Sequence, residues 1–278
     1  MIATTRDGRE LYYERHGEGT PIVVLEAGMG FSRNTWGAVI PGVCEHTTVI
    51  AYDRSGLGRS APDPAPRDLA RLADDLVDLL DHLGDGPFVL VGHSWGGPII
   101  RVAAAQRADR IAGLVLVDPT DERCDVFFTK GNERRDRWAT RIMKALAYTR
   151  IMPLILRGQA KVLSEPWRTG LRREDGTVAS VREQVAEVAS FTDDLRRLRA
   201  EPPAWPDVPV TVISGGKTGF MERGRRDDLI ATHGQTAHRL PHGHHVMAEQ
   251  SSHYVVLTEP GLIVDEILRI THPAPAGT

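Results

Sequence analysis

The chain has 278 residues, a length that exceeds an average domain yet suits one α/β core with an insertion. Its 34 basic and 37 acidic residues give a formal net charge of -3, which disfavours nucleic acid or an anionic membrane surface as partner. We therefore expect a small-molecule partner, bound by a monomer or a homodimer. No apolar run has the length of a secretory signal core or a membrane span, so the sequence predicts a cytoplasmic protein.

The first half of the chain alternates short apolar runs with longer amphipathic ones, the pattern of a parallel sheet flanked by helices. Four apolar runs are predicted as strands buried on both faces: 22–25, 48–52, 88–91 and 114–117. Apolar residues recur at helical spacing over 69–83, and Gly84 follows where a helix should end. A further helix is predicted over 99–108. Because such crossovers are right-handed, the strand-to-helix loops gather at the carboxyl edge of the sheet.

The alternation stops at residue 121, and segments rich in Arg, Glu, Leu and Ala follow without a clear strand. This pattern predicts an inserted helical cap over 121–206, and the prolines at 202–206 mark the return to the core. Sheet character resumes with predicted strands at 209–214 and 245–248, followed by a closing helix at 262–270. The core is thus predicted to combine residues 1–120 and 207–278.

A G-x-S-x-G motif at 92–96 follows an apolar strand and opens a helix. A serine on such a sharp turn exposes its hydroxyl above the sheet, and small residues two positions before and after it prevent collisions. The helix N-terminus adds N–H donors and partial positive charge, which favour an oxyanion beside Ser94. A glycine-rich turn with an incidental serine is the alternative, and the strand-turn-helix order disfavours it.

With this motif the chain resembles the α/β-hydrolase family over almost its full length apart from the insertion. Residues 25–30 follow the strand that carries the family's oxyanion loop, and 53–60 resemble its D-x-x-G-x-G-x-S turn. Residues 252–254, followed by Glu259-Pro260, resemble the segment with the catalytic histidine. The resemblance implies an α/β-hydrolase fold: a mostly parallel central sheet with helices on both faces and an inserted helical cap.

The resemblance also implies an oxyanion hole made by the backbone N–H groups of Met29 and Trp95. The His-Gly pair that usually precedes the oxyanion residue is replaced here by Ala27-Gly28. This departure changes the support of the loop but leaves both N–H groups available. The Met29 side chain itself is expected to fill a gap in the core.

Five of the eleven histidines lie between positions 238 and 253. A general base must reach Ser94 from a loop at the carboxyl end of the last strand, which favours His253. His244 and His245 would lie at the opposite end of that strand, and His93 is predicted to be a packing or pocket residue. A zinc site at 242–245 is disfavoured because no carboxylate or cysteine completes it, so no metal is expected.

The family's catalytic triad consists of a serine, a histidine and an acid that orients the histidine. In this sequence the acid does not lie at the position of the commonest family pattern. After the strand at 209–214 the chain reads Gly-Gly-Lys-Thr-Gly, without a carboxylate. The preceding strand ends at Asp118, and since an acid at this alternative strand is known in the family, we assign Asp118 to orient His253. A role in bracing the next loop is the alternative for Asp118. Three carboxylates remain as fallback acids: Glu222, Asp121 and Glu122.

Together these residues predict a serine hydrolase that cleaves an ester, lactone or related acyl bond through an acyl-enzyme without a cofactor. Aromatic and methionine side chains of the insertion either line the substrate pocket or form the insertion's own core: Phe127, Phe128, Trp138, Met143 and Met152. Carbon-carbon bond hydrolysis, acyl transfer, cyclisation and a weakly catalytic ligand receptor are the alternatives. Epoxide hydrolases of this fold ordinarily use an aspartate nucleophile, so Ser94 disfavours that chemistry. The free thiols of Cys44 and Cys124 belong to no ligand pattern and are expected to be reduced.

Overall fold

The computed structural model describes residues 1–132, 134, 138, 141–142, 156, 158, 160–218 and 223–273. Eight strands form one sheet in the order β1-β2-β4-β3-β5-β6-β7-β8. Their bounds are β1 Ile2–Thr4, β2 Glu10–His16, β3 Ile22–Glu26, β4 Val49–Tyr52, β5 Phe88–His93, β6 Ile111–Val117, β7 Val210–Gly215 and β8 Gly243–Ala248. β2 runs antiparallel to β1 and β4, and the other neighbouring strands are parallel. The predicted fold class is confirmed.

The α-helices in the described part of the chain lie between and after these strands. Their bounds are α1 Ile40–Cys44, α2 Leu69–Leu83, α3 Gly96–Gln106, α4 Trp167–Gly170, α5 Val178–Ala200, α6 Arg223–His238, α7 Val255–Thr258 and α8 Pro260–Thr271. The helix predicted over 69–83 is confirmed as α2, and Asp68 caps it by accepting from the N–H of Arg71 at 2.9 Å. None of the described helices combines the length and apolar character that crossing a bilayer requires.

Apolar side chains cover both faces of the central sheet. On one face, Leu76 of α2 and Ile99 of α3 pack with Leu90 of β5. On the other face, Ile263 and Ile267 of α8 pack among the alternate side chains of the same strands. Because β3 and β6 flank β5, the ends of these three strands meet at one edge of the sheet.

Two features of the fold were absent from the sequence prediction. β1 and β2 lie at the sheet edge, and β2 mixes buried with half-exposed positions, so it lacks the continuous apolar run of a central strand. α6 contains a basic and acidic first half with few apolar residues, which hides its helical period. β1, β2 and α6 form because neighbouring elements supply the apolar and hydrogen-bonding surface that their own sequences lack.

Between β6 and β7, the described residues contain helices and turns without a strand. The division into a core and a cap over 121–206 stays a prediction.

A one-turn π-helix, Leu171–Asp175, attaches the segment between β6 and β7 to the loop after β3. Asp175 accepts from the N–H and hydroxyl of Ser32 at 2.5 and 2.8 Å, and Glu174 accepts from Arg33 and Asn34 at 2.8 Å each.

Asp175 is a buried carboxyl group held mainly by neutral donors. Burial raises the pKa of Asp175 to about 8, and the two hydrogen bonds from Ser32 only partly oppose this effect. The folded protein therefore retains a proton that the unfolded chain releases near pH 4. From the linkage relation, this group lowers the stability of the fold progressively as the pH rises from about 4 to 8.

We predict that Asp175→Asn raises the melting temperature at pH 8 by several degrees, since an amide keeps donor and acceptor groups without ionising. The difference from the wild type should shrink as the pH is lowered and vanish near pH 4. Thermal denaturation followed by circular dichroism at pH 4, 6 and 8 measures it. Asp193→Asn is the matched control, since that side chain on α5 is 69% exposed; equal pH dependence of wild type and Asp175→Asn would contradict the prediction.

Candidate active site

Ser94 occupies the sharp turn between β5 and α3. Its φ is +54°, a left-handed conformation that non-glycine residues rarely adopt. The surrounding main chain stabilises this conformation: the N–H of Ser94 donates to Val117 at 3.0 Å, and its carbonyl accepts from Gly97 and Thr120 at 3.0 Å each. The predicted strand-turn-helix arrangement around the motif is present, with the serine between two elements of the core.

The two motif glycines permit a very close approach of the main chain. A Cβ on Gly92 would lie 2.4 Å from the carbonyl oxygen of Gly96, and one on Gly96 would lie 2.6 Å from that of Glu26. Both distances are far below van der Waals contact, so any larger residue would push α3 away from β5 and β3. The G-x-S-x-G spacing is therefore required by packing at this turn.

Asp118 directly follows β6, and the structure brings it into contact with His253. Nδ1 of His253 lies 2.7 Å from Oδ2 of Asp118, while Oδ1 accepts from the N–H of Gly215 at 2.9 Å. The carboxylate is fully buried, and its residue has a φ of +41°. Burial alone would raise the pKa of Asp118, but the His253 hydrogen bond and the charges of His253 and Arg226 lower it below its usual range.

The end of β7, where the commonest family pattern has an acid, is occupied by closely packed glycines. A Cβ on Gly215 would lie 2.0 Å from the carbonyl oxygen of Ser252, and one on Gly216 would lie 3.0 Å from a Glu249 carboxylate oxygen. The histidine loop thus packs directly against the backbone of β7. A side chain on Gly215 has no room there, and the carboxylate that contacts His253 is Asp118, one strand away.

His253 lies in the loop between β8 and α7, with 40% of its side chain exposed. Because Nδ1 donates to Asp118, the neutral ring carries its lone pair on Nε2. Glu259 holds the loop by accepting from the N–H of Gln250 at 2.9 Å and the hydroxyl of Ser251 at 2.5 Å. Glu259, part of the segment that resembles the family's histidine segment, therefore supports the histidine loop.

His93 joins the nucleophile turn to the histidine loop. Its Nε2 donates to the carbonyl of His253 at 2.9 Å, and the two ring centroids are 4.9 Å apart. Burial and the neighbouring His253 lower the pKa of His93 to about 3, so the ring is neutral. His93, predicted from the sequence to be a packing or pocket residue, packs against the candidate base. The Ser94 hydroxyl makes no hydrogen bond to His253.

The loop after β3 lies beside the nucleophile. A Cβ on Gly28 would be 3.5 Å from Cβ of Ser94. The backbone N–H groups of Met29 and Trp95 have no acceptor among the residues that the structure describes. Two such donors beside a serine can receive the oxygen of a tetrahedral intermediate, as an oxyanion hole requires.

A buried ion network supports this loop in place of the usual histidine. Arg54 donates to the carbonyls of Ala27 and Gly28 at 2.7 and 2.8 Å, and Glu187 of α5 accepts from the N–H of Gly30 at 3.0 Å. Arg54 also pairs with Glu187 at 3.0 Å and with Glu26 at 2.5 Å. All three charged side chains are fully or almost fully buried. Sequence reasoning missed Arg54 and Glu187; the Arg that follows Asp53 in the D-x-x-G-x-G-x-S turn was the available signal.

The predicted pocket residues have different environments. Phe127 is 8% exposed and its ring lies 5.9 Å from that of Phe191, while Phe128 stacks on Arg199 at 4.0 Å. Phe191, which the sequence analysis missed, also contacts Trp95 at 4.9 Å. For Phe127 and Phe128 these contacts favour the alternative of internal packing. Trp138 is 65% exposed and so lines no enclosed pocket in the described residues; Met143 and Met152 lie outside them.

The remaining candidates have partners of their own. Asp121 accepts from Thr236 at 2.6 Å, Glu122 pairs with Arg101 at 2.7 Å, and Glu222 lies outside the described residues. In the histidine cluster at 242–245, Nε2 of His245 forms a hydrogen bond with the hydroxyl of Ser214 at 2.8 Å. No group of three potential metal ligands occurs in the described residues.

The sequence has recognisable relatives among known proteins. A model of the alpha/beta hydrolase family matches residues 22–266, and the chain belongs to this family. Over 150 residues it is 37% identical to "Putative carbamate hydrolase RutD" of Azorhizobium caulinodans, covering 53% of this chain and 54% of that protein. It is 35% identical over 112 residues to a soluble epoxide hydrolase of Corynebacterium sp., covering 40% and 39%. The chain thus spans about half the length, or less, of these relatives.

Among solved structures, the enol-lactonase from Burkholderia xenovorans LB400 superposes with a TM-score of 0.67 at 22% identity. The match covers 97% of this chain and 99% of that one. At this identity the likeness establishes the fold, while the choice of substrate depends on side chains that differ. The two relatives described above are hydrolases by name.

We predict that Arg54→Met lowers the free energy of unfolding by about 3–5 kcal/mol, because it leaves Glu26 buried without its counter-charge. It also removes one of the two guanidinium groups that pair with Glu187, which keeps Arg67 at 2.7 Å. Urea denaturation measures the change. Arg59→Met is the matched control: its side chain is 54% exposed and pairs with Glu174 at 3.0 Å, so its loss should cost below about 1 kcal/mol. Equal effects of the two substitutions would contradict the role of the buried network.

Proposed function

We propose that this protein is a serine hydrolase that cleaves a small-molecule ester, lactone or related acyl bond through an acyl-enzyme. Ser94 is the nucleophile, His253 the general base, and Asp118 the acid that orients His253. The backbone N–H groups of Met29 and Trp95 bind the oxyanion. The hydrogen bond between Asp118 and His253 at 2.7 Å is the observation that carries this proposal, since it fixes the tautomer with a free Nε2.

In the proposed reaction, the Ser94 hydroxyl attacks the acyl carbon while its proton moves to Nε2 of His253. The carbonyl π electrons move to the oxygen, which the two N–H groups stabilise. Collapse of this intermediate expels the leaving group, which takes the proton from the imidazolium. Water then attacks the acyl-serine by the same route, and the acid product leaves with Ser94 restored.

An acyl substrate fits a serine better than an epoxide does. Attack of Ser94 on an epoxide would give a stable ether, which has no carbonyl for water to attack and would inactivate the enzyme. An acyl-serine retains a carbonyl and is hydrolysed. The carbamate in the name of one relative also contains a carbonyl, so carbamates belong in the substrate panel beside esters and lactones.

The structure also bears on the alternative of a weakly catalytic receptor. The lack of a carboxylate after β7 would favour that alternative. Asp118 supplies a carboxylate to His253 from the neighbouring strand, and the strained turn at Ser94 is retained. Both observations support an enzyme, because a receptor has no use for either feature.

We predict that Ser94→Ala lowers kcat/KM for p-nitrophenyl acetate by about 10³-fold or more, because the nucleophile is lost. Labelling by a fluorophosphonate should disappear in the same variant. Ser164→Ala, at an exposed serine, is the control and should retain both. Wild-type turnover by folded Ser94→Ala would refute the mechanism.

A chain-length series of esters, with lactones and carbamates, then defines the substrate class. Product analysis with an added acyl acceptor distinguishes hydrolysis from acyl transfer.

We predict that Asp118→Asn lowers kcat by on the order of 10³- to 10⁴-fold, because an amide no longer fixes the productive tautomer of His253. Asp121→Asn, one of the fallback acids, should stay within a few-fold of the wild type. Steady-state kinetics on an activated ester, with folding checked by circular dichroism, measures both. If Asp121→Asn is the impaired variant and Asp118→Asn is not, the acid has been assigned to the wrong residue.

A further inference from the structure

Arg226 of α6 shares the Asp118 carboxylate with His253. Its Nη1 lies 2.6 Å from Oδ1 and 2.8 Å from Oδ2, while His253 Nδ1 lies 2.7 Å from Oδ2. The Arg226 side chain is 12% exposed, so solvent screens this ion pair only weakly. A triad acid paired with a permanent cation carries a smaller effective negative charge.

α6 is anchored so that Arg226 stays at this position. His233 of the same helix donates from Nε2 to the carbonyl of Pro119 at 2.8 Å, and Thr236 donates to Asp121 at 2.6 Å. These bonds join two further turns of α6 to the residues that directly follow Asp118. The guanidinium is therefore held against the carboxylate by a helix, which limits its freedom to swing away.

The groups that face the Asp118–His253 pair come from four elements. β5 contributes His93, β6 contributes Asp118, the loop after β8 contributes His253 and Tyr254, and α6 contributes Arg226 and His233. Burial lowers the pKa of both His93 and His233, which favours the neutral form of each ring. The balance of charge at His253 is thus set by Asp118 against Arg226.

We propose that Arg226 is a positioning residue that tunes the base: by offsetting the charge of Asp118, it keeps His253 unprotonated to lower pH than an unpaired aspartate would allow. This inference rests on the proposed function. An imidazolium is stabilised by a nearby carboxylate and destabilised by a nearby guanidinium. Arg226 therefore makes His253 a weaker base that stays available in mildly acidic solution, while its contact with both oxygens fixes the carboxylate.

The test is the pH dependence of Ser94 labelling by a fluorophosphonate, which reports the protonation of the base in the free enzyme. Arg226→Gln keeps an N–H donor without the charge. In this variant the acidic limb of the curve of labelling rate against pH should move to higher pH by about one unit. The labelling rate one unit below the wild-type midpoint should fall by several-fold, with the plateau at high pH little changed. Arg226→Lys restores the charge and should restore the wild-type midpoint.

The matched control is Arg239→Gln, which makes the same charge change just beyond the same helix at an exposed residue and should leave the limb in place. An unshifted limb in folded Arg226→Gln would overturn the tuning role. Arg226→Met carries the same expectation and serves if the glutamine variant does not fold. Absence of labelling in the folded wild type would instead refute the proposed function, so the two failures are distinguishable.

Discussion

The buried carboxylate of Asp118 is the constraint on which the rest of the site depends. It receives hydrogen bonds from the main chain of β7, from the histidine loop and from α6. A carboxylate without these donors would be too costly to bury, so the sheet edge, the loop and the helix must assemble together. The same contacts that lower the pKa of Asp118 also orient His253. Stability and the proposed chemistry therefore depend on one set of atoms.

Backbone strain is concentrated at the same edge of the sheet. Ser94 and Asp118 are the two non-glycine residues of the described chain with positive φ, and each such conformation costs of order 1–3 kcal/mol. They lie at the ends of the neighbouring strands β5 and β6, and the N–H of Ser94 donates to the residue before Asp118. The central strands, buried on both faces, provide the packing that holds both residues in these conformations.

The loop at Met29 illustrates how one family feature is replaced by another. Where the usual histidine is absent, Arg54 binds two carbonyls of the loop and Glu187 of α5 binds the N–H of Gly30. Buried charges are stable here because each has a partner of opposite sign. One consequence is that the segment between β6 and β7 contacts the candidate oxyanion loop directly, so its packing and the position of the Met29 N–H are physically linked.

The sequence by itself determined the elements whose signals are local. Continuous apolar runs predicted the central strands, helical spacing predicted α2, and the motif around Ser94 predicted the turn, because each pattern reflects contacts within a short stretch. It also named Asp118 and His253 as candidates from their places at strand ends. Tertiary structure alone decided which acid meets the histidine, since Gly215 at the end of β7 leaves no room for a side chain against Ser252, which lies 37 residues away in the loop after β8. It likewise decided the roles of Arg54, Glu187 and Arg226, because long charged side chains show no local period and their partners are set by the packing of distant elements.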